Sequence, residues 1–371
     1  MRLFISAAEA SGDRLGAALV EALSRRGSVY AAGFGGPQLR AVGAETWRDA
    51  SELSVVGFVE VFAHLPRLWR LLGDLANRAI AYRPDIAVLI DAPDFHLRLA
   101  RRLSRAGIPV VLFVPPAVWA SRPHRVRAYS AAVDHILVLF PFEVDAWRGA
   151  PVTWVGHPLR DDIPAVIRPK AGTRVVALLP GSRRSEVAQH LPALRAAAKR
   201  LVSAGAADAF TVPVAASHLK AALVDGLRGL PVRWTQGASA VRTAVGDAKG
   251  ALVSSGTATL ETALLGCPQV VLYRLHPATY RLAKRLKIAD HWALPNVLVG
   301  RRAVPELIQN AATGVALADE LMVQMGTAAE AAIVLAHEVR SQLGPPGSAD
   351  RAADAVQRFW RGQAAVRGAR I

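Results

Sequence analysis

The chain has 371 residues, 6% aromatic content and a formal net charge of +16, carried mostly by arginine. Its length admits two domains with full cores, and its lone cysteine, Cys267, excludes internal disulfides and thiolate metal sites and suits a reducing compartment. The charge fits either the Arg- and Ala-rich coding of a GC-rich genome or attraction to a polyanion, namely nucleic acid, anionic membrane or phosphorylated substrate.

In chain order, short apolar runs at 2–6, 29–33, 85–90, 109–114, 135–139 and 152–155 predict a first set of strands. Runs at 174–179, 210–215, 232–234, 251–254 and 269–273 predict a second set. Helical periodicity fills the gaps, as from Arg14 to Arg25 and from Val187 to Ala204. Continuous apolar strands alternating with helices predict an α/β chain of two doubly wound, Rossmann-like domains. Such domains face a cleft and take ligand at the carboxyl ends of their strands. The bounds read as 1–163 for the first domain, 164–173 for a linker broken by Pro164, Pro169 and Gly172, and 174–345 for the second. A helix within 346–371 is expected to cross back onto the first domain.

The longest apolar run, Ala106 to Ala120, is interrupted by Pro109, Pro115 and Pro116. It falls short of the roughly 20 residues a membrane helix needs. Met1 to Ser6 leads quickly to Glu9, without the apolar core of a signal peptide. A cytoplasmic protein is expected, with membrane contact only peripheral. No zinc-finger spacing, heptad array or basic tail points to nucleic acid as a partner.

The most informative stretch is Ala251-Leu252-Val253-Ser254-Ser255-Gly256-Thr257-Ala258-Thr259-Leu260-Glu261. A strand ends in a small-residue turn and a helix starts at once, so unpaired N–H groups and the positive helix end suit a phosphate. Glu261, one turn after Thr257, reaches toward a sugar hydroxyl. Gly181-Ser182-Arg183-Arg184-Ser185-Glu186 follows an upstream strand in the same way, with Arg183 adding fixed charge for a leaving diphosphate. A turn with two solvated arginines is the plainer reading. Two such junctions suggest a nucleotide-diphosphate ligand.

The turn Ser6-Ala7-Ala8-Glu9-Ala10-Ser11-Gly12-Asp13 offers close approach at Ser11 and Gly12, with Glu9 and Asp13 as acceptors. Ser11 and Asp13 equally suit capping of the next helix. Asp91, in Ile90-Asp91-Ala92-Pro93-Asp94-Phe95-His96, ends a buried strand, where an acid is costly without a partner or a task. It suits a general base for a hydroxyl; capping would account for Asp91 or Asp94, less easily for both. His157 reads as a packed residue at the domain junction. The segment Leu53 to Leu72, with Arg67 and Arg70 on its polar side, is either a core helix or an amphipathic surface that meets lipid. The run Arg281, Lys284, Arg285, Lys287 is a solvated face or an anionic-membrane contact.

In sum these motifs resemble lipid-A-disaccharide synthase, an inverting glycosyltransferase family of the GT-B architecture. The resemblance runs from Ser6 to about Gln309. It rests on the segments already quoted and on Val56-Gly57-Phe58-Val59-Glu60-Val61, Phe140-Pro141-Phe142-Glu143, Val155-Gly156-His157-Pro158, Leu282-Ala283-Lys284 and Leu294-Pro295-Asn296-Val297-Leu298-Val299-Gly300. It implies transfer from UDP-2,3-diacylglucosamine to 2,3-diacylglucosamine 1-phosphate, giving a β-1,6 disaccharide and UDP without metal or cofactor. It further implies Asp91 as the base, Glu9 and Asn296 as catalytic residues, and Ser11, Gly12 and Asp13 at the substrate. Gly181, Ser182, Arg183, Ser255, Gly256 and Thr257 would hold the diphosphate and Glu261 the ribose. Work at the anionic inner membrane face is implied, and a homodimer built through C-terminal segments is among the states open to the family.

The chain departs from the family pattern in two places. Pro115-Pro116-Ala117-Val118-Trp119-Ala120-Ser121 replaces a motif richer in serine and tryptophan, and His96 stands where asparagine is usual. Acceptor or acyl-chain preference is therefore open. Alternatives are a related UDP-sugar transferase or epimerase with another substrate, and a non-catalytic UDP-sugar-binding protein.

Overall fold

A computed structural model describes residues 1–50, 52, 61–119, 125–167, 172–275, 290–326 and 328–368. It divides into two units, Met1–Asp161 with Pro345–Ile371, and Asp162–Gly344.

In the first unit, seven parallel strands are β1 (Arg2–Ala7), β2 (Tyr30–Gly35), β3 (Glu45–Asp49), β4 (Ile86–Ile90), β5 (Val110–Phe113), β6 (His135–Val138) and β7 (Val152–Trp154). Their order is β3-β2-β1-β4-β5-β6-β7. The β4 residues Ile86, Ala87, Val88, Leu89 and Ile90 are fully buried, as an apolar run covered by helices on both faces requires. Helix Ala10–Ser24 turns Leu19, Val20 and Leu23 inward. Helix Pro93–Arg105 starts with a proline in its first turn, where the missing N–H is not needed, and buries Leu97, Leu99 and Leu103.

The second unit repeats the plan with β8 (Val175–Leu179), β9 (Ala209–Pro213), β10 (Val232–Thr235), β11 (Gly250–Ser254), β12 (Gln269–Tyr273) and β13 (Glu306–Ile308), in the order β10-β9-β8-β11-β12-β13. In each sheet the strand order reverses once, between β1 and β4 and between β8 and β11. Open parallel sheets bind ligands outside the strand ends at such a point.

Two strands, β3 and β13, escape the apolar-run criterion. Both lie at sheet edges with a single neighbour, so Glu45-Thr46-Trp47-Arg48-Asp49 and the three-residue β13 need no continuous apolar run. The expected 164–173 linker also needs correction, because its described part packs into the second unit. The Ile167 amide donates to the Leu265 carbonyl, and Arg340 donates to the carbonyls of Ile163 and Pro164. Prolines hide this packing by removing periodicity.

The last helix, Ser348–Gly368, belongs to the first unit. Asp161 accepts from the Gly347 and Ser348 amides at its start, Arg25 and Arg26 pair with Asp350, and Arg26 with Asp354. Among the described residues no helix is long and apolar enough to cross a membrane.

Candidate functional site

At the β1/β4 reversal, Asp91 follows the last residue of β4 with φ of 64°, and Ala92 follows with φ of 40°. These are two consecutive non-glycine residues in the left-handed region, a conformation that must be held by its surroundings. The Asp91 carboxylate is half-buried, and the Ser11 hydroxyl donates to its Oδ2 at 3.3 Å. Burial and then the nearby negative charge of Glu9 push its pKa up to about 6, with Ser11 opposing. Asp91 does not cap the following helix, whose cap is Ala92. Asp94 is exposed and ion-paired to Arg125.

Glu9 is exposed at the N-cap of helix Ala10–Ser24. Gly12 is buried on that helix, and a Cβ there would stand 3.3 Å from Asp91 Oδ2. The glycine thus lets the helix approach the carboxylate. For Asp13 the structure corrects the expectation of a substrate contact. It is buried, and its two oxygens accept from the amides of Gly36, Gln38 and Leu39. It caps the short helix Pro37–Ala41, and Gly36 is glycine because a Cβ would lie 2.6 Å from Asp13 Oδ2. Asp13→Ala leaves three amides without their acceptor and is expected to lower stability by about 2–4 kcal/mol. Urea unfolding checks this, with Ser11→Ala as the control expected to change stability by less than about 0.5 kcal/mol.

At the β8/β11 reversal, the two phosphate-type turns lie on adjacent strands. After β11, Gly256 has φ of 144° with open space where a Cβ would be, and helix Thr257–Leu264 starts beside it. The Thr259 amide donates to the Gly256 carbonyl at 3.0 Å, which leaves the first two amides, of Thr257 and Ala258, as the ones suited to an anion. The Ser255 hydroxyl donates to the Trp292 carbonyl, which fixes the turn. Ser254, at the end of β11, has a buried hydroxyl without a partner among the described residues, and Glu261 is half-buried on the helix.

The turn after β8 differs from expectation. Glu186 Oε2 accepts from the Ser182 and Arg183 amides, and Oε1 from the Arg183 guanidinium at 2.8 Å. A carboxylate of the chain itself thus occupies these N–H groups, which corrects the reading of Ser182 and Arg183 as an open backbone nest. Gly181, with φ of 110°, leaves room for Glu186 beneath it. What this turn presents outward is the Arg183 side chain, 70% exposed.

Asn296 is a further correction. It is fully buried, donates to Val304 O and Glu306 Oε1, and accepts from the Ala303 and Val304 amides. Its hydrogen-bonding capacity is filled within the protein, which leaves no donor or acceptor for a reacting atom. It positions the loop instead: Glu306 also accepts from the Trp292 and Ala293 amides, and Trp292 receives Ser255.

Sequence reasoning missed Glu306 and His190. His190 is buried; its Nδ1 donates to Pro180 O at 2.7 Å and its Nε2 accepts from the Arg274 amide at 3.0 Å, tying the β8 turn to the end of β12. A polar residue inside an apolar helical stretch was the one available signal. His157 is packed as expected, buried with Nδ1 accepting from Leu159. Glu143 is buried and accepts from the Leu139 and Phe140 amides, with burial pushing its pKa up to about 7. Residues Val56 to Glu60, Ala120, Ser121 and the 281–287 basic run lie outside the described residues. Among the described residues no group of three or more His, Cys, Asp or Glu side chains forms a metal-type cluster.

A family model described as lipid-A-disaccharide synthetase matches residues 3–358. The chain belongs to this family. A lipid-A-disaccharide synthase of Geobacter sulfurreducens is 40% identical over 376 residues, covering 96% of each chain. Membership of the lipid-A-disaccharide synthetase family makes the protein a glycosyltransferase of lipid A biosynthesis. Solved structures place the two Rossmann-like units in the GT-B class. The calicheamicin glycosyltransferase CalG4 aligns with a TM-score of 0.60 at 17% identity, over 96% of this chain and 98% of its own. A UDP-GlcNAc 2-epimerase of Neisseria meningitidis, bound to UDP-GlcNAc, aligns at 0.61 with 10% identity over 97% and 99%. A transferase and an epimerase thus share the fold, so activity follows from the family match and the site.

Proposed function

We propose that this synthetase transfers the sugar of UDP-2,3-diacylglucosamine to the 6-hydroxyl of 2,3-diacylglucosamine 1-phosphate with inversion. The reading is carried by the raised carboxylate of Asp91 at the β4 end, beside Ser11 and Glu9. In the single displacement, the acceptor oxygen bonds the anomeric carbon as the carbon–oxygen bond to UDP breaks. The acceptor proton passes to Asp91, and the electron pair leaves with UDP. On the second unit, Arg183 and the opening amides of helix Thr257–Leu264 meet the growing diphosphate charge, with Glu261 on the ribose. These charges take the place of a metal, so turnover is expected to persist in EDTA.

The epimerase reading is favoured by fold likeness alone, and one assay separates the two. The protein is incubated with UDP-diacylglucosamine, with and without the acceptor, and the lipids are weighed by mass spectrometry. The proposal expects acylated disaccharide 1-phosphate and UDP only when both substrates are present. An altered donor sugar in the absence of acceptor would favour the epimerase.

We further propose that the enzyme docks on anionic lipid through helix Val61–Tyr82. Trp69 is 50% exposed there with Arg98 over its ring, and Arg67 and Arg70 are exposed beside it. Trp69 is therefore not a core residue. Each basic group near an anionic surface adds about 1 kcal/mol, screened by salt. Trp69→Glu is expected to weaken binding to phosphatidylglycerol-containing vesicles while the thermal melt stays put. Equal binding to neutral and anionic vesicles at low salt contradicts the electrostatic part.

A further inference from the structure

We infer that His96 and Ser6 form a positioning pair that holds the Asp91 turn in its left-handed shape and thereby sets where the base carboxylate stands. The inference rests on the reading of Asp91 as the general base. A non-glycine residue in this region is strained, and Asp91 and Ala92 adopt it in succession. Something must offset that strain locally. The turn's own backbone gives two anchors, the Asp91 amide to Phe113 O and the His96 amide to Ala92 O. The third is the His96 ring, which reaches back five residues to the Asp91 carbonyl at 2.6 Å from Nδ1.

The proton assignment follows from valence. The Asp91 carbonyl only accepts, so Nδ1 carries the hydrogen. A neutral ring then has Nε2 as an acceptor, and the Ser6 hydroxyl donates to it at 2.8 Å. Burial of the ring keeps it neutral, pushing its pKa down to about 4. His96 and Ser6 are both fully buried. Ser6 lies on β1, paired on both sides with β2 and β4. The chain of contacts therefore runs from the centre of the sheet through Ser6 and His96 to the carbonyl of the base itself. His96 touches no substrate and acts only through Asp91.

The test compares His96→Leu, His96→Asn, Ser6→Ala and Asp91→Asn, with the double variant Asp91→Asn/His96→Leu, in the full chain. Misplacement of a reacting group by about 1 Å costs ~10²-fold in rate. His96→Leu is thus expected to lower kcat by ~10–100-fold while KM for the UDP-sugar, held by the other unit, is unchanged. His96→Asn keeps one donor and one acceptor and is expected to restore most of kcat. In the Asp91→Asn background His96→Leu should cost nothing more, since there is no base left to place. A folded His96→Leu protein with full kcat overturns the inference, as does an equal further loss in the double variant, which marks a general structural role. If His96→Leu fails to fold, Ser6→Ala is read by the same criteria. Near-normal turnover of Asp91→Asn overturns the base assignment and this inference with it. An inactive Asp91→Asn beside a fully active His96→Leu overturns this inference alone.

Discussion

Asp91→Asn is expected to lower kcat by ~10²–10⁴ while leaving UDP affinity unchanged and making the protein more stable at neutral pH. The first part follows from loss of the proton acceptor with almost no change in shape. The second follows from the proposed placing of UDP at the β11 and β8 turns of the second unit. The third is a matter of sign. Burial and Glu9 raise the folded pKa of Asp91 from 3.8 to about 6, so the folded state binds the proton more tightly than the unfolded chain does. Stability from this group is complete below pH 4 and is lost as pH rises through 6. Above pH 7 the ionised carboxylate costs about 2–3 kcal/mol, which the neutral amide avoids. Thermal melts at pH 8 should show Asp91→Asn above the wild type, and melts at pH 3.5 should show little difference. Turnover close to wild type would move the base role to another carboxylate, Glu9 being the nearest in charge.

Arg183→Ala should weaken UDP binding and reduce kcat/KM by ~10²–10³, because charge on the leaving diphosphate is met more strongly in the transition state than before it. The Arg183 side chain is the exposed part of its turn, while Glu186 fills the amides below it. Removal of the guanidinium therefore takes away the exposed charge proposed to meet the diphosphate and leaves the two backbone amides of the turn held by Glu186. Glu261→Ala, at the proposed ribose contact, should weaken UDP binding with a smaller effect on kcat. Calorimetry showing wild-type UDP affinity in both variants would overturn the nucleotide assignment. The Arg183→Ala loss should be the same with and without EDTA.

The buried strands and the two turn-to-helix junctions were legible because each is a local pattern. A covered parallel strand must be apolar throughout, and a helix that starts straight after a strand leaves its first amides to find acceptors outside its own helical ladder, whether a ligand or, as at Ser182 and Arg183, a side chain of the protein. Edge strands β3 and β13 were illegible for the converse reason, since one neighbour demands less apolar surface. Polar residues near a junction were the hardest to read. Asp13, Gly12, Ser182 and Asn296 occupy the expected segments, yet local sequence does not tell a side chain that faces a ligand from one that faces backbone amides. Asp13 meets Gly36, Gln38 and Leu39 from a segment more than twenty residues away. Glu186 lies only three residues from Arg183, and the spacing of a capping box was available to reveal it. Asp91 was readable because a carboxylate at the end of a fully apolar strand is costly anywhere in a sequence of this type.

The most direct measurement of the base assignment is the pH dependence of kcat/KM, with wild type and Asp91→Asn compared under saturating UDP-sugar. A base must be ionised to accept the acceptor proton, so wild-type kcat/KM for the acceptor should fall tenfold per pH unit below about 6. In Asp91→Asn the residual rate should lose that limb and run flat through the same range. An acid limb that persists in the variant at the same pH would contradict the assignment of Asp91 as the base.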